Sequence, residues 1–424
     1  MTLACGIDFG TSNSSVGVCN AGVPCLLPIQ RGATSVPTAL FFSLDDHSTT
    51  FGLEALGRHF AHEPGRYLRA IKSVLGTGLF AETTQVERMR YGFGEIVAAF
   101  LRFLRTAAGE GLGAPPASVV LGRPAFFVDD DPEADAMAER QLEAAARAAG
   151  FEQIAFQFEP IAAALDYERS VDAEEIALVA DIGGGTSDFS VVRVSPERAR
   201  SNDRRQDILG FTGVHIGGTD FDRQLALAAV MPALGLRSPL RRQGLDAPSW
   251  YFYDLATWHR INFLYAPKVL TEVRGVLRDS AEPEKIERLL RVLEQRKGHE
   301  LLANVEATRI ELSRAEIATI DLDASIAGIA PEIARAELEA AVADSLQRIR
   351  SRIDHVLRMA GLTPDAISAV FLTGGVTRMP SVQRSIAAAV PAARLIAGNV
   401  FGSVATGLAL DAAKRFGSDD GKTG

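Results

Sequence analysis

Three things are scarce in this sequence of 424 residues: cysteine, basic charge and long apolar runs. The three cysteines, Cys5, Cys19 and Cys25, all fall within the first 25 residues. They have no four-ligand spacing, so neither a disulfide framework nor a structural zinc site is encoded. Buried thiols are the expectation, and a redox pair of Cys19 with Cys25 across a hairpin is the alternative. Forty-four Lys and Arg face 53 Asp and Glu, a net charge of -9. Such a chain repels phosphate backbones and anionic membrane surfaces at long range, which removes both from the expected partners. No apolar run approaches the roughly 20 residues of a membrane-spanning helix. The first eight residues hold no basic leader and include Asp8, so the expected location is the cytoplasm. Gly421-Lys422-Thr423 mimics the end of a phosphate-binding P-loop, but position 416 is Phe where that loop needs glycine.

What is present is an α/β rhythm with a 47% hydrophobic content sufficient for two or three packed units. Strands are expected over 3–9 and 14–19, a helix over 95–107, a strand over 118–121 and an Ala-rich helix over 133–149. Near Glu175 the opening is repeated. Ile7-Asp8-Phe9-Gly10-Thr11-Ser12 and Ala180-Asp181-Ile182-Gly183-Gly184-Gly185-Thr186 share strand, Asp, Gly and Thr in one order. Such a distant repeat exceeds any solenoid period and predicts two related lobes. From 248 to 301 the pattern turns helical around Trp250, Tyr251, Phe252, Tyr253, Trp258, Phe263 and Tyr265. This segment reads as a subdomain with its own core, the alternative being a docking surface for a protein. Val342, Leu346, Ile349, Ile353 and Val356 then mark one amphipathic helix ending at Gly361.

The two repeated turns suit a polyphosphate. Glycine lets backbone N–H groups approach phosphate oxygens, and the Thr and Ser hydroxyls add donors. Asp8 and Asp181 at the strand ends suit Mg²⁺, which keeps several waters and takes one or two carboxylates. A third turn, Gly217-Gly218-Thr219-Asp220-Phe221-Asp222, and a fourth, Thr373-Gly374-Gly375-Val376-Thr377-Arg378, also follow apolar runs and precede helices, whose N-termini attract anions.

These turns resemble the nucleotide-binding region of the 70-kilodalton heat-shock chaperone family, within the actin and sugar-kinase superfamily. Further pieces fall in the family's order: Ile71-Lys72-Ser73-Val74-Leu75-Gly76, the stretch 119–126 with Pro124, Phe158-Glu159-Pro160-Ile161-Ala162-Ala163-Ala164, the stretch 306–313, and Gly374 to Pro380. The resemblance implies an α/β, two-lobed actin-like ATPase fold built on ribonuclease H-like repeats, with an enlarged helical subdomain. Lobe I would comprise 1–170 and 397–416, and lobe II 171–396 with a mostly helical insertion over 219–330. A disordered tail would follow over 417–424.

The resemblance further implies ATP or ADP with Mg²⁺ as ligands. Asp8 and Asp181 would hold the metal through its waters. Gly10, Thr11, Ser12, Asn13, Gly183, Gly184, Gly185 and Thr186 would cradle the phosphates, with Gly217, Gly218, Gly374, Gly375 and Arg378 completing the enclosure. Lys72, Glu159, Asp181 and Thr186 would form the catalytic set, Lys72 facing the γ-phosphate and Glu159 orienting the attacking water. Glu306, Arg309 and Ser313, spaced along one helix face, would reach the adenosine. Departures from the family's pattern are Asn13 for an aromatic, Ile310 for a base-stacking cation, Val376 for a small hydroxyl residue, and Thr219 and Phe401 for acidic residues. With no peptide-gripping β-sandwich expected after 416, the pattern resembles a short, divergent chaperone-like branch. The expected function is a slow ATPase whose lobe closure is read by a protein partner or client. The alternatives are a small-metabolite phosphotransferase, with Asp188 as base, and an actin-like filament protein.

Overall fold

The computed structural model describes residues 3–417, apart from 62, 87–88, 129–130, 169–170, 202, 243, 259, 323–328 and 398–401. Of the expected disordered tail over 417–424, all but Gly417 lies outside the described residues, as does Phe401.

The chain opens with three antiparallel strands, β1 (Ala4–Phe9), β2 (Asn13–Asn20) and β3 (Val23–Leu26). A flanking sheet of β4 (Ala39–Ser43), β5 (Thr49–Phe51) and β6 (Gly65–Arg69) carries helix α1 (Gly52–Phe60). Helix α2 (Phe93–Leu112) buries Ile96, Val97, Phe100, Leu101, Leu104 and Ala108, the stripe its periodicity predicts. Then come β7 (Ser118–Arg123), α3 (Pro132–Ala149), β8 (Gln153–Phe158) and α4 (Glu159–Glu168). Helix α3 starts where Asp131 accepts the Ala134 N–H at 3.0 Å, with Pro132 in its first turn, and stops at the left-handed Gly150.

The second half repeats this plan. Strands β9 (Glu175–Ile182), β10 (Ser187–Val194) and β11 (Ile208–Val214) are antiparallel neighbours. A helical segment follows: α5 (Gly218–Leu225), α6 (Trp250–Leu255), α7 (Pro267–Asp279), α8 (Pro283–Glu294), α9 (Gly298–Glu311) and α10 (Arg335–Ala341). The chain closes with α11 (Ala343–Met359), β12 (Ala369–Thr373), α12 (Pro380–Ala389), β13 (Arg394–Ala397) and α13 (Ser403–Phe416). The first sheet runs β3-β2-β1-β7-β8 and the second β11-β10-β9-β12-β13. In both, two antiparallel pairings are followed by two parallel ones. The fold is therefore the two-lobed α/β architecture of actin-like ATPases, with Asp8 and Asp181 on the central strand of equivalent sheets.

Helices α4 and α13 occupy equivalent places in the two halves and lie together between the sheets. Ile161, Ala162, Ala163, Ala164, Val404, Leu408 and Ala412 share one buried cluster with Val120 of the first sheet and Ala177, Val179, Val192 and Phe371 of the second. The helices approach until a β-carbon on Gly407 would strike the Ala162 carbonyl. Gly6 and Gly17, paired across β1 and β2, likewise leave room for the α13 backbone at Leu408, Ala409 and Ala405.

Two expectations meet different outcomes. The Cys19–Cys25 redox pair is excluded by register: Val18 stands opposite Cys25 and Cys19 opposite Pro24, so the two thiols leave opposite faces of the sheet. Burial pushes the Cys5 thiol up to about 12. The aromatic segment divides. Tyr251 and Phe252 enter the core, Trp258 and Tyr265 pack partly buried against it, and Trp250, Tyr253 and Phe263 are exposed. Among the described residues no helix is long and apolar enough to cross a membrane.

Overpacking the crossing tests its importance. Gly407→Val is expected to lower stability by about 3 kcal/mol in urea unfolding. Gly57→Ala, where an added β-carbon on α1 meets nothing, is expected to raise it by up to ~1 kcal/mol.

Candidate functional site

Strand β1 delivers Asp8, and β9 delivers Asp181 opposite Asp188 and Thr373. Between them Lys72 and Glu159 form a close pair, Nζ to Oε1 2.6 Å. Lys72 sits on a 3₁₀ turn, Ile71–Val74, entered through a left-handed Ala70 (φ 55°), and only 8% of its surface is exposed. Glu159 is the first residue of α4, where chain direction aims its carboxylate back towards the lysine. Thus four residues distant in sequence, Asp8, Lys72, Glu159 and Asp181, occupy one electrostatic cluster.

Three carboxylates around the Lys72 ammonium leave an excess of negative charge. Burial, with Glu159 and Asp181 nearby, pushes Asp8 up to about 8, although Lys72 pulls the other way. Burial also raises Asp181, against a hydrogen bond from Thr373 that holds it down. Charge crowding of this kind is what a divalent cation relieves. Among the described residues no group of three or more metal-ligating side chains is close enough to hold an ion alone. Two carboxylates therefore fit a hard ion that retains its waters, as Mg²⁺ does. A cavity of about 20 Å³, room for one water, touches Glu159, Asp181, Asp188, Ser190 and Thr373.

The glycine turns gather round this cluster. The first is held from behind by Thr38, whose hydroxyl donates to the Gly10 carbonyl at 2.7 Å and whose N–H donates to Ser12 O at 2.9 Å. Thr11, Ser12 and Asn13 are exposed. The second turn faces the first, because a β-carbon on Gly184 would strike Ser12 Oγ. Thr186 donates its hydroxyl to Asp188 at 3.1 Å. The third is stitched to the second by Gly218 N–H to Gly183 O, 3.0 Å, and Thr219 N–H to Gly184 O, 2.8 Å. Gly374 has φ 82°, and a β-carbon there would strike Ile182 O and come within 3.0 Å of Asp181 Oδ1. Gly375 and Arg378 bound the 3₁₀ turn that follows, with Arg378 exposed.

The adenosine set is split by burial. Arg309 is 5% exposed and gives its guanidinium to Asp222, Nε to Oδ1 2.5 Å, rather than to open solvent. Glu306 is exposed and lies 3.8 Å from Arg309, and Ser313, past the end of α9, donates to the Arg309 carbonyl at 3.4 Å. Arg309 thus braces the third turn: a β-carbon on Gly218 would sit 3.3 Å from its Nη2. Ile310, 52% exposed, is the apolar surface beside it. Sequence reasoning missed Thr38, for which no motif signals, and the Arg309–Asp222 partnership, although Asp222 closes the third motif.

A family model described as Hsp70 protein matches residues 80–231 and 281–421. Over 406 residues the chain is 27% identical to Chaperone protein DnaK of Thermus thermophilus, covering 91% of this chain and 56% of the relative. Over 405 residues it is 28% identical to the Chaperone protein HscA homolog of Azoarcus sp., covering 91% and 54%. The chain therefore spans about half the length of the curated relatives it matches. Since the family match takes in most of the sequence, including the second, third and fourth glycine turns, the chain belongs to the Hsp70 protein family.

Proposed function

We propose that this chain binds ATP and ADP with Mg²⁺, hydrolyses ATP slowly, and transmits the closure of two lobes, 1–170 with 397–416 and 171–396, to a protein partner or client in the cytoplasm. The observation that carries the reading is the 2.6 Å Lys72–Glu159 pair set between Asp8 and Asp181 inside facing glycine turns. The relatives are named as chaperone proteins, which favours this reading over phosphotransfer to a metabolite.

In this proposal the backbone N–H groups and hydroxyls of Gly10 to Asn13 and Gly183 to Thr186 bind phosphate oxygens. Mg²⁺, when bound, would neutralise phosphate charge through waters oriented by Asp8 and Asp181. Lys72 donates to the γ-phosphate and stabilises charge that grows in the transition state. Glu159 positions water for attack. The resting Lys72–Glu159 contact must loosen for both roles to be filled, so the catalytic geometry is assembled only as nucleotide arrives. This accounts for slow turnover. Glu306 and the exposed Ile310 bound the base and ribose side, while Arg309 holds the third turn in place.

Calorimetry with Mg-ATP on the wild type is expected to show binding that the Asp8→Ala/Asp181→Ala variant loses. Lys72→Ala is expected to lower single-turnover hydrolysis by about 10² to 10³, with ATP affinity changed far less; unchanged hydrolysis would remove Lys72 from the mechanism. A proton competes with the cation at Asp8 below its pKa of about 8. Mg-nucleotide affinity is therefore expected to weaken as pH falls through that value, by up to about tenfold per pH unit, and Asp8→Asn should flatten the profile. Arg309→Met strands the Asp222 carboxylate and is expected to cost about 3 to 5 kcal/mol in chemical denaturation. Adding Asp222→Leu should restore most of that loss.

A further inference from the structure

Beside the charge cluster lies a buried arginine whose neighbours reach both members of the Lys72–Glu159 pair. Arg123 is the last residue of β7, and the parallel register with β8 sets it beside Phe158, the residue that precedes Glu159. Only 9% of its surface is exposed. Its guanidinium lies 5.0 Å from the centre of the Phe158 ring and 5.3 Å from that of Phe127. The Lys72 ammonium rests 5.9 Å over the same Phe127 ring, so two cations share one aromatic side chain. Gly122, one residue before Arg123, abuts the Glu159 side chain: a β-carbon there would stand 3.1 Å from Glu159 Cγ.

Helix α3 holds this arginine in place. Asp135 and Glu139, one turn apart on that helix, both accept hydrogen bonds from its guanidinium, Asp135 at 2.8 Å. Through its other oxygen Asp135 accepts the Phe127 N–H at 2.5 Å, so one carboxylate fixes both the arginine and a ring it lies against. Further along α3, Gln141 accepts the Gly76 N–H at 2.8 Å, at the end of the segment that carries Lys72. Both sides of the Lys72–Glu159 contact are thus referred to one helix. A buried, paired charge is a poor way merely to fill space, since apolar residues of similar volume often pack with equal or greater stability. What an apolar side chain lacks is a planar fork that binds two carboxylates while it lies against two rings.

We propose that Arg123 is a positioning residue for ATP hydrolysis: through Phe127 and Phe158 it holds Lys72 and Glu159 where one can meet the γ-phosphate and the other the attacking water. This rests on the nucleotide reading above. Among the described residues the hydrogen bonds of Arg123 go to Asp135, Glu139 and the carbonyls of Pro124 and Ala125, none of them in the glycine turns. Its influence therefore falls on the chemical step and not on nucleotide affinity. A displacement of about 1 Å at a reacting centre costs up to about 10² in rate. Arg123→Lys keeps the charge and gives up both the fork and the flat face.

The test is single-turnover hydrolysis of Mg-ATP, with calorimetric ADP binding and urea unfolding on the same samples, for the wild type, Arg123→Lys, Lys72→Ala and the double variant. Arg123→Lys is expected to slow hydrolysis about tenfold while ADP affinity stays within about twofold of wild type. In the Lys72→Ala background the same change is expected to slow hydrolysis by less than about twofold more, because without the lysine there is no pair to place. A general loosening of the fold would instead multiply the two losses. Should the Arg123 variant not fold, Phe127→Leu carries the same expectation, since it keeps apolar bulk at a half-buried position and removes the ring that Lys72 and Arg123 share. Folded variants at both positions that hydrolyse within about twofold of the wild-type rate overturn the role alone, as does a double variant in which the separate losses multiply. A wild type that binds no ADP overturns the nucleotide reading and the role with it. One that binds Mg-ATP without turning it over overturns hydrolysis and the role, and leaves nucleotide binding standing.

Discussion

Helix α13 can cross α4 only because Gly407 has no side chain to keep it from the Ala162 carbonyl. Both helices are wedged between the sheets, so this backbone contact fixes how the two halves meet and, with them, how Asp8 faces Asp181. Helix α4 is held at its far end as well. There Glu168 takes two hydrogen bonds from the Arg204 guanidinium, each 2.7 Å, and one from the Ser195 N–H at 2.9 Å. Arg204 also pairs with Asp207, and all three charged groups are buried. An ion network this enclosed tolerates little displacement, because each member stranded alone carries a large desolvation cost. A ten-residue helix is thus anchored in the second half by Glu168 while its first residue, Glu159, touches Lys72. One helix thereby ties the Lys72 contact to the buried ion network of the second half.

The charge cluster depends on a similar economy of connections. Thr38 receives the Ala70 N–H at 3.2 Å through its carbonyl and holds the Gly10 turn through its hydroxyl. Ala70 adopts a left-handed conformation that costs an ordinary residue about 1 kcal/mol or more. It turns the chain so that Lys72 enters the cluster instead of solvent. One threonine therefore links the first glycine turn to the segment that carries the Lys72 ammonium in among these carboxylates.

Much of this was legible in the sequence, for reasons that can be named. The repeat around Asp8 and Asp181 announced equivalent central strands, since an apolar run that ends in Asp-x-Gly constrains local geometry wherever it occurs. Helices α2, α3 and α11 could be read from periodicity because their burial is one-sided. Partnerships that join distant segments were not legible. Nothing local in Glu168 foretells Arg204, and the helix spacing that groups Arg309 with Glu306 and Ser313 gives no sign of its buried pairing with Asp222. The cysteines show the same limit on a smaller scale, because a register set by one residue sends Cys19 and Cys25 to opposite faces.

The position of α13 has a consequence for how the protein comes into being. Strands β1 and β2 carry the Gly6–Gly17 surface against which the backbone of α13 packs at residues 405 to 409. At a translation rate of about 5 to 20 residues per second, roughly 20 to 80 seconds separate the appearance of that surface from the arrival of its cover. Through this interval the face of the hairpin turned towards α13 waits for its cover, while β3, β7 and α2 can already pack on its edges and its other face. One face of the first sheet thus stays incomplete until α13 has been made.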